Sequence, residues 1–184
     1  VLRKAAGKGN VDNFVLSVRR LLNQNKIDEA IEECDRQEGS VGNVVKEGLT
    51  TYKALAHDTT MNKEQKMVAL NKSIEEATTL EMPMLEKNMM ILSTLGTVAT
   101  LVALLGTVIG MIKAFSALGS GGGTPDSAAL SIGISEALVN TALGIGTSAV
   151  AIILYNYFTS KIDGLTFKID EIAMSIQQSF AEFH

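Results

Sequence analysis

The sequence predicts an all-α fold: a membrane helical hairpin with long helices extending into a cytoplasmic helical bundle. Three observations carry that prediction. Residues 88–112 (NMMILSTLGTVATLVALLGTVIGMI) carry no charged side chain over 25 residues. As a helix they rise about 37 Å at roughly 1.5 Å per residue, enough to cross a hydrocarbon core about 30 Å thick with some tilt. Residues 127–160 form a second apolar block whose one acidic or basic side chain is Glu136. The first 87 residues are instead rich in charge, with apolar residues at helical spacing.

Composition agrees with a membrane protein that carries a water-soluble part. The chain is 46% hydrophobic but 5% aromatic, so its apolar content comes from Leu, Ile, Val, Ala and Met. A net charge of −4 and the lack of a basic patch with interleaved aromatics argue against nucleic-acid binding. The single Cys34 has no internal disulfide partner and lies among acids in EECDRQ, which reads as a reduced cytoplasmic thiol without catalytic duty. No signal peptide is recognisable.

In chain order, residues 1–9 carry Arg3, Lys4 and Lys8 among glycines and alanines, a basic flank of the kind found beside a membrane helix. A first short helix puts Phe14, Val18, Leu21 and Leu22 on one face, and residues 23–26 break it. A second puts Ile27, Ala30, Ile31 and Cys34 together, and Gly39 and Ser40 are expected to end it. A third turns Val41, Val44, Val45, Leu49, Tyr52 and Leu55 inward. These three pack as a small bundle. After a break at residues 58–62, a long helix carries Met67, Leu70, Ile74, Ala77 and Leu80 as its seam. Pro83 kinks it or opens the next helix, and the helix is expected to continue straight into the bilayer. SALGSGGGTPDS after Phe115 reads as a hairpin connection; no Gly-Lys-Ser/Thr follows, so it is no phosphate loop. Tyr155, Tyr157 and Phe158 mark an interfacial belt. Ile162, Leu165, Ile169, Ile172, Ile176, Phe180 and Phe183 then give an amphipathic helix that packs on copies of itself or on the first bundle.

The two apolar blocks are unusual for the small residues threaded through them. Ser93, Gly96, Thr100, Ala103, Thr107, Gly110 and Ala114 follow at steps of three and four, which places them on one stripe. Gly133, Ala137, Thr141, Gly144 and Ser148 form a matching stripe, with Glu136, Asn140, Gly144 and Thr147 as a polar neighbour. Small residues let helix backbones approach. Gly96, Ala103, Gly106, Gly110, Gly133 and Gly144 are therefore the expected packing positions. Of the 16 Lys and Arg, 13 precede the first block, two follow the second and Lys113 lies near the loop. Lys87 and Lys161 flank the membrane, so both ends are expected in the cytoplasm.

Glu136 is the first candidate for chemistry, because a carboxylate within a span is costly and by default functional: an ion path, a proton relay or an interhelical partner. The alternative places it in the headgroup zone, capping or orienting its helix. Thr107 and Thr141 are the next candidates. Each hydroxyl can simply bond the carbonyl one turn earlier, or the two can line a central space among several copies. Glu136 and Thr141 are five residues apart, about 140° around a helix, so they do not point into one lumen. His57 reads as a surface or packing residue. No Cys/His cluster, catalytic triad or paired-carboxylate site is present, so no enzyme, metal or cofactor is expected.

LLGTVIGM (residues 104–111), GISEALVNTALG (residues 133–144) and YN (Tyr155, Asn156) together resemble the MotA/TolQ/ExbB proton-channel family, the ExbB and TolQ branch most closely. EAIEEC and VVKEGL in the cytoplasmic region are similar as well, so the resemblance covers nearly the whole chain. It implies a homopentamer in the bacterial inner membrane around single-span partners of the ExbD or TolR type. A partner aspartate carries the proton beside Thr107 and Thr141, with Glu136 as the family's membrane glutamate, and a TonB-like or TolA-like protein receives the motion. The segments then read as a cytoplasmic helical region (1–80), a transmembrane helix with a cytoplasmic extension (81–114), a periplasmic loop (115–126), a transmembrane helix (127–160) and a cytoplasmic amphipathic helix (161–184). Relatives commonly have proline where this chain has Thr100 and Val150. They also have a first transmembrane helix that is absent here; either the chain begins just after it, the reading that the basic flank favours, or this is a two-span relative. A stator for rotation or gliding and a non-conducting oligomeric scaffold are the competing functions.

Overall fold

A computed structural model describes residues 6–119 and 127–183, and all regular structure among them is helical. The elements are α1 (Val11–Asn23), α2 (Ile27–Gln37), α3 (Gly39–His57), α4 (Lys63–Leu85), α5 (Met89–Gly119) and α6 (Ser127–Phe183). They divide into two compact units. One comprises Val1–Lys87 with Ser160–His184, and the other Asn88–Thr159.

The first unit is a helical bundle with one apolar core. Phe14, Val15, Val18 and Leu22 of α1, Val41, Val44, Val45, Leu49, Tyr52 and Leu55 of α3, and Leu70, Ile74 and Ala77 of α4 are buried together. The C-terminal part of α6 closes this core with Ile169, Ile172, Ile176 and Phe180. Of its two expected packing modes, the amphipathic stretch thus takes the bundle. Local chemistry sets the helix starts. Asn10 caps α1 by accepting from the Asp12 amide, and Asn62 with Gln65 forms a reciprocal capping box on α4. At the surface, Arg19 donates to Glu171 at 3.0 Å and Lys168 pairs with Asp12 at 3.0 Å. Such exposed pairs are each worth at most about 1 kcal/mol, so they fix register and leave stability to the core.

Four details depart from the sequence expectations. Gly39 and Ser40 start α3 instead of ending α2, because Glu38 at φ 54 and Gly39 at φ 77 turn the chain at once. Leu80 is 78% exposed, and the seam of α4 in this core ends at Ala77. The reason is angular: two successive steps of three, from Ile74 to Ala77 to Leu80, each fall about 60° short of a full turn. α4 does not run on into α5. Pro83 sits in its last turn, the helix stops at Leu85, and Asn88 at φ 72 begins a new helical start. Asparagine tolerates that left-handed geometry better than other residues with a Cβ. Finally, α5 continues through Gly119, so residues 116–119 are helix where the loop was expected. Ser, Ala and Leu there have no reason to stop a helix before the glycine run. Residues 120–126 of that loop and residues 1–5 of the basic flank lie outside the described residues.

Cys34 is buried in the bundle, and burial first, then the neighbouring Asp35 carboxylate, pushes its thiol pKa up to about 12. A thiol is reactive only as thiolate. At pH 8 the folded protein is expected to react with iodoacetamide roughly a thousandfold more slowly than the chain unfolded in guanidinium. Comparable rates in both states would contradict the burial.

Candidate functional site

The second unit pairs α5 with the first part of α6, and small residues meet at each turn of the crossing. Gly133 lies against Ala114, Gly110 against Ala137, Gly144 against Ala103, and Gly96 against Ala151 and Ile152. The residue numbers of each pair sum to nearly the same value, which defines an antiparallel hairpin. A Cβ on Gly133 would stand 2.7 Å from the Ala114 Cβ, so glycine here permits the contact. Ala103, Ala114, Ala137, Ala151 and Ser148 are buried in the seam. Ser148, placed by the sequence in the small-residue stripe with no polar role, donates its hydroxyl proton to the carbonyl of Gly96 across the seam. A serine within a small-residue stripe was the available signal for such a bond.

Thr107 and Thr141 are brought together on one flank of this crossing. Their hydroxyls are hydrogen-bonded to each other. The Thr107 hydroxyl also lies 3.0 Å from the Ala103 carbonyl and 3.3 Å from that of Ala137, and the Thr141 hydroxyl is 3.3 Å from the same Ala137 oxygen. A hydroxyl has one proton to give. Two donor orders therefore satisfy the cluster: Thr107 to Thr141 to Ala137, or Thr141 to Thr107 to Ala103. Local back-bonding and a hydroxyl pair across the hairpin are both present in the same geometry. The pair can turn its protons over without breaking a helix bond. Neither threonine ionises in the physiological range, so the pair can orient a neighbouring acid or water but cannot store a proton.

The other flank carries Glu136 and Asn140. Asn140 lies over Gly106, where an added Cβ would be 3.2 Å from its Nδ2. Gly106 and Thr107 are adjacent in α5, as are Asn140 and Thr141 in α6, so the two pairs stand at one level about 100° apart on each helix. Glu136 is exposed in the protomer, one turn from Asn140 and on its side. The acid and the hydroxyl pair therefore occupy different flanks, as their spacing in the sequence required. Glu136 is the only carboxylate within residues 127–159, and residues 89–119 hold none.

Beyond the seam the unit is apolar and open. Met90, Leu101, Leu105, Ile112, Phe115, Leu138, Leu143 and Ile153 are all more than half exposed. Only 11% and 17% of the most apolar 18-residue windows of α5 and α6 are buried. A core helix of a water-soluble protein would be mostly covered; helices this apolar and this open suit a membrane.

An ExbB-like biopolymer transport protein of Synechocystis sp. is 33% identical over 113 residues, 61% of this chain and 54% of its own length. The biopolymer transport protein ExbB of Xanthomonas campestris is 32% identical over 61% of this chain and 44% of its own. The Tol-Pal system protein TolQ of Pseudomonas aeruginosa is 28% identical over 70% of this chain and 55% of its own. The chain thus spans about half the length of these relatives. The sequence model of the MotA/TolQ/ExbB proton channel family matches residues 36–171, and with three quarters of its length so matched the chain belongs to that family.

Proposed function

We propose that this chain is the channel-forming subunit of a proton-driven motor in the bacterial inner membrane. It assembles as a homo-oligomer, a pentamer by analogy, around single-span ExbD/TolR-like partners. Proton flow through that assembly does mechanical work on a TonB-like protein and so energises outer-membrane transport. The observation that carries this reading is the Thr107–Thr141 hydroxyl pair at membrane depth, with no carboxyl group on its flank. Hydroxyls so placed can hold and release hydrogen bonds to an acid, yet the acid must come from another helix. A partner carboxyl approaching the pair supplies the group that changes protonation, and Glu136 serves the same path from the other flank.

The identities of 32% and 33% to ExbB-named relatives favour the TonB branch. The match to TolQ extends over more of the chain and keeps an envelope-integrity role as the second reading. Complementation separates them: restored siderophore-dependent growth in an ExbB-deficient host supports the first, restored detergent resistance in a TolQ-deficient host the second.

The direct test is proton flux in vesicles containing the chain and its partner, measured with a pH-sensitive dye. Thr107→Ala and Thr141→Ala are each expected to lower flux at least about a hundredfold while leaving assembly intact, as loss of a positioned hydrogen-bonding group in a dry site does. Unchanged flux in both variants would remove the pair from the path, and no flux from the parent chain with its partner would favour a scaffold.

A further inference from the structure

The Thr107–Thr141 pair is one level of a repeat. Seven residues before Thr107 stands Thr100, and seven after Thr141 stands Ser148; a further seven give Ser93 and Tyr155. The crossing keeps this step, because Gly110 lies against Ala137, Ala103 against Gly144 and Gly96 against Ala151. A seven-residue step returns to within about 20° of the same side of a helix and advances about 10 Å. Thr100 and Ser148 therefore share a level as Thr107 and Thr141 do, nearer the Met89 end of α5.

The second level is bonded differently from the first. Ser148 is buried and gives its proton to the Gly96 carbonyl. Gly96 precedes Thr100 by one turn, as Ala103 precedes Thr107. Within α5 that carbonyl also accepts from the Thr100 amide, so both of its lone pairs are taken. Thr100 is thus denied the bond to its own helix that Thr107 can make. It is partly buried, and its hydroxyl has no hydrogen-bond partner among the described residues. In hydrocarbon such a group is costly, because lipid tails offer neither donor nor acceptor. Ser148 keeps lone pairs free on its hydroxyl oxygen beside it. Toward the other end the repeat carries no polar group, since its next positions are Ala114 and Ile134. The groove on that side of Thr107 is walled mainly by Val108, Met111, Ile112 and Phe115.

We infer that Thr100 is a positioning residue for the proton path. With Ser148 it holds bridging water that connects the Thr107–Thr141 pair to the Met89 end of the span. A water needs two or more polar partners, and this level supplies the Thr100 hydroxyl and the Ser148 oxygen. About three waters at hydrogen-bond spacing cover the roughly 10 Å between the levels, and Ser93 with Tyr155 continues the hydroxyls toward the end of the block. Each oxygen on the path takes one hydrogen and releases another. A proton entering beside Thr107 therefore leaves at the Met89 end with no hydroxyl ionised.

This inference rests on the channel reading above, and the two fail separately. Proton flux is measured in vesicles holding the full chain and its single-span partner. Thr100→Val keeps the shape without the hydroxyl and is expected to lower flux about tenfold, as loss of one water-mediated bond in a barrier does. Thr100→Ser restores the hydroxyl and is expected to stay within about twofold of the parent. Parent-like flux in Thr100→Val, with Thr107→Ala inactive, would overturn this inference and leave the channel reading standing. Equal losses in the Val and Ser variants would overturn it too, since packing alone would then matter. A second measurement reads the water directly. Thr100→Cys in the same vesicles is treated with a charged, thiolate-specific methanethiosulfonate, which reacts only where water reaches the thiol. The native Cys34 is buried and stays silent. Thr100→Cys is expected to react at least about tenfold faster than Leu105→Cys, whose position is more than half exposed and about 200° around α5 from Thr107. Equal, slow labelling of both would overturn the inference. If the parent chain carries no flux, the channel reading fails, and the labelling alone still decides whether Thr100 holds water.

Discussion

Gly144→Leu is expected to force the two spans apart and destabilise the hairpin by about 3 kcal/mol or more, the upper end of overpacking costs. The reason is the closest approach in the seam. A Cβ on Gly144 would collide with the Ala103 Cβ and stand 3.1 Å from the Ala99 carbonyl oxygen. Neither neighbour is the free end of a flexible side chain, so relief requires a movement of whole helices. Gly144 is three residues from Thr141, on the same side of α6, so that movement also draws the Thr141 hydroxyl away from Thr107. The same substitution at Gly146 is the control, since a Cβ there meets nothing within 4 Å. Gly146→Leu is expected to leave stability level or raise it slightly, because leucine is the better helix former by about 0.8 kcal/mol. Thermal unfolding in detergent compares the two. If they melt together, the close contact has no energetic weight, and flux loss in Gly144→Leu alone would then need a different cause.

This contrast marks how far the sequence could be read. Periodicity identified the small-residue stripes, and it separated Glu136 from Thr141 by angle before any coordinates. It placed Gly144 in the stripe and left out Gly146, two residues on and across the width of the helix, but it did not give the closeness of the contact between Gly144 and Ala103. Nor did it give the partners of the hydroxyls, because a threonine bonded to its own helix and one bonded across the seam have the same spacing. In the bundle, the six apolar residues of the inward face of α3 were legible, since they recur there without ambiguity, whereas the buried Ser40, Gly42 and Gly48 were not. Leu80 was misread for the opposite reason: steps of three repeated twice drift off the core face, and only neighbouring helices reveal by how much. The interruption at Asn88 was hidden because a run of helix-compatible residues surrounds it, and the left-handed geometry of one asparagine leaves no compositional trace.

The second large effect lies in the bundle. Phe180→Ala is expected to lower its stability by about 4 kcal/mol, within the 3–5 kcal/mol range for a buried phenylalanine. Phe180 is fully buried, and its ring meets that of Tyr52 edge to face with centroids 4.9 Å apart. It is the last core residue that α6 contributes, packed with residues of α1, α3 and α4. Truncation therefore leaves a cavity where four helices meet, and none of them can collapse into it without unpacking from the others. A loss of that size is a large fraction of the 5–15 kcal/mol that holds a typical domain together. Two components can be separated. Phe180→Leu restores most of the volume but not the ring, and is expected to recover more than half of the loss. The remainder should match the coupling between Tyr52 and Phe180 in a double-mutant cycle, about 0.5–1.5 kcal/mol for an edge-to-face pair. Guanidinium unfolding followed by circular dichroism gives the totals, and hydrogen exchange locates them, with α3 amides losing protection. If Phe180→Ala costs under about 1 kcal/mol, the C-terminal part of α6 does not close this core, and its apolar face must be covered by something else.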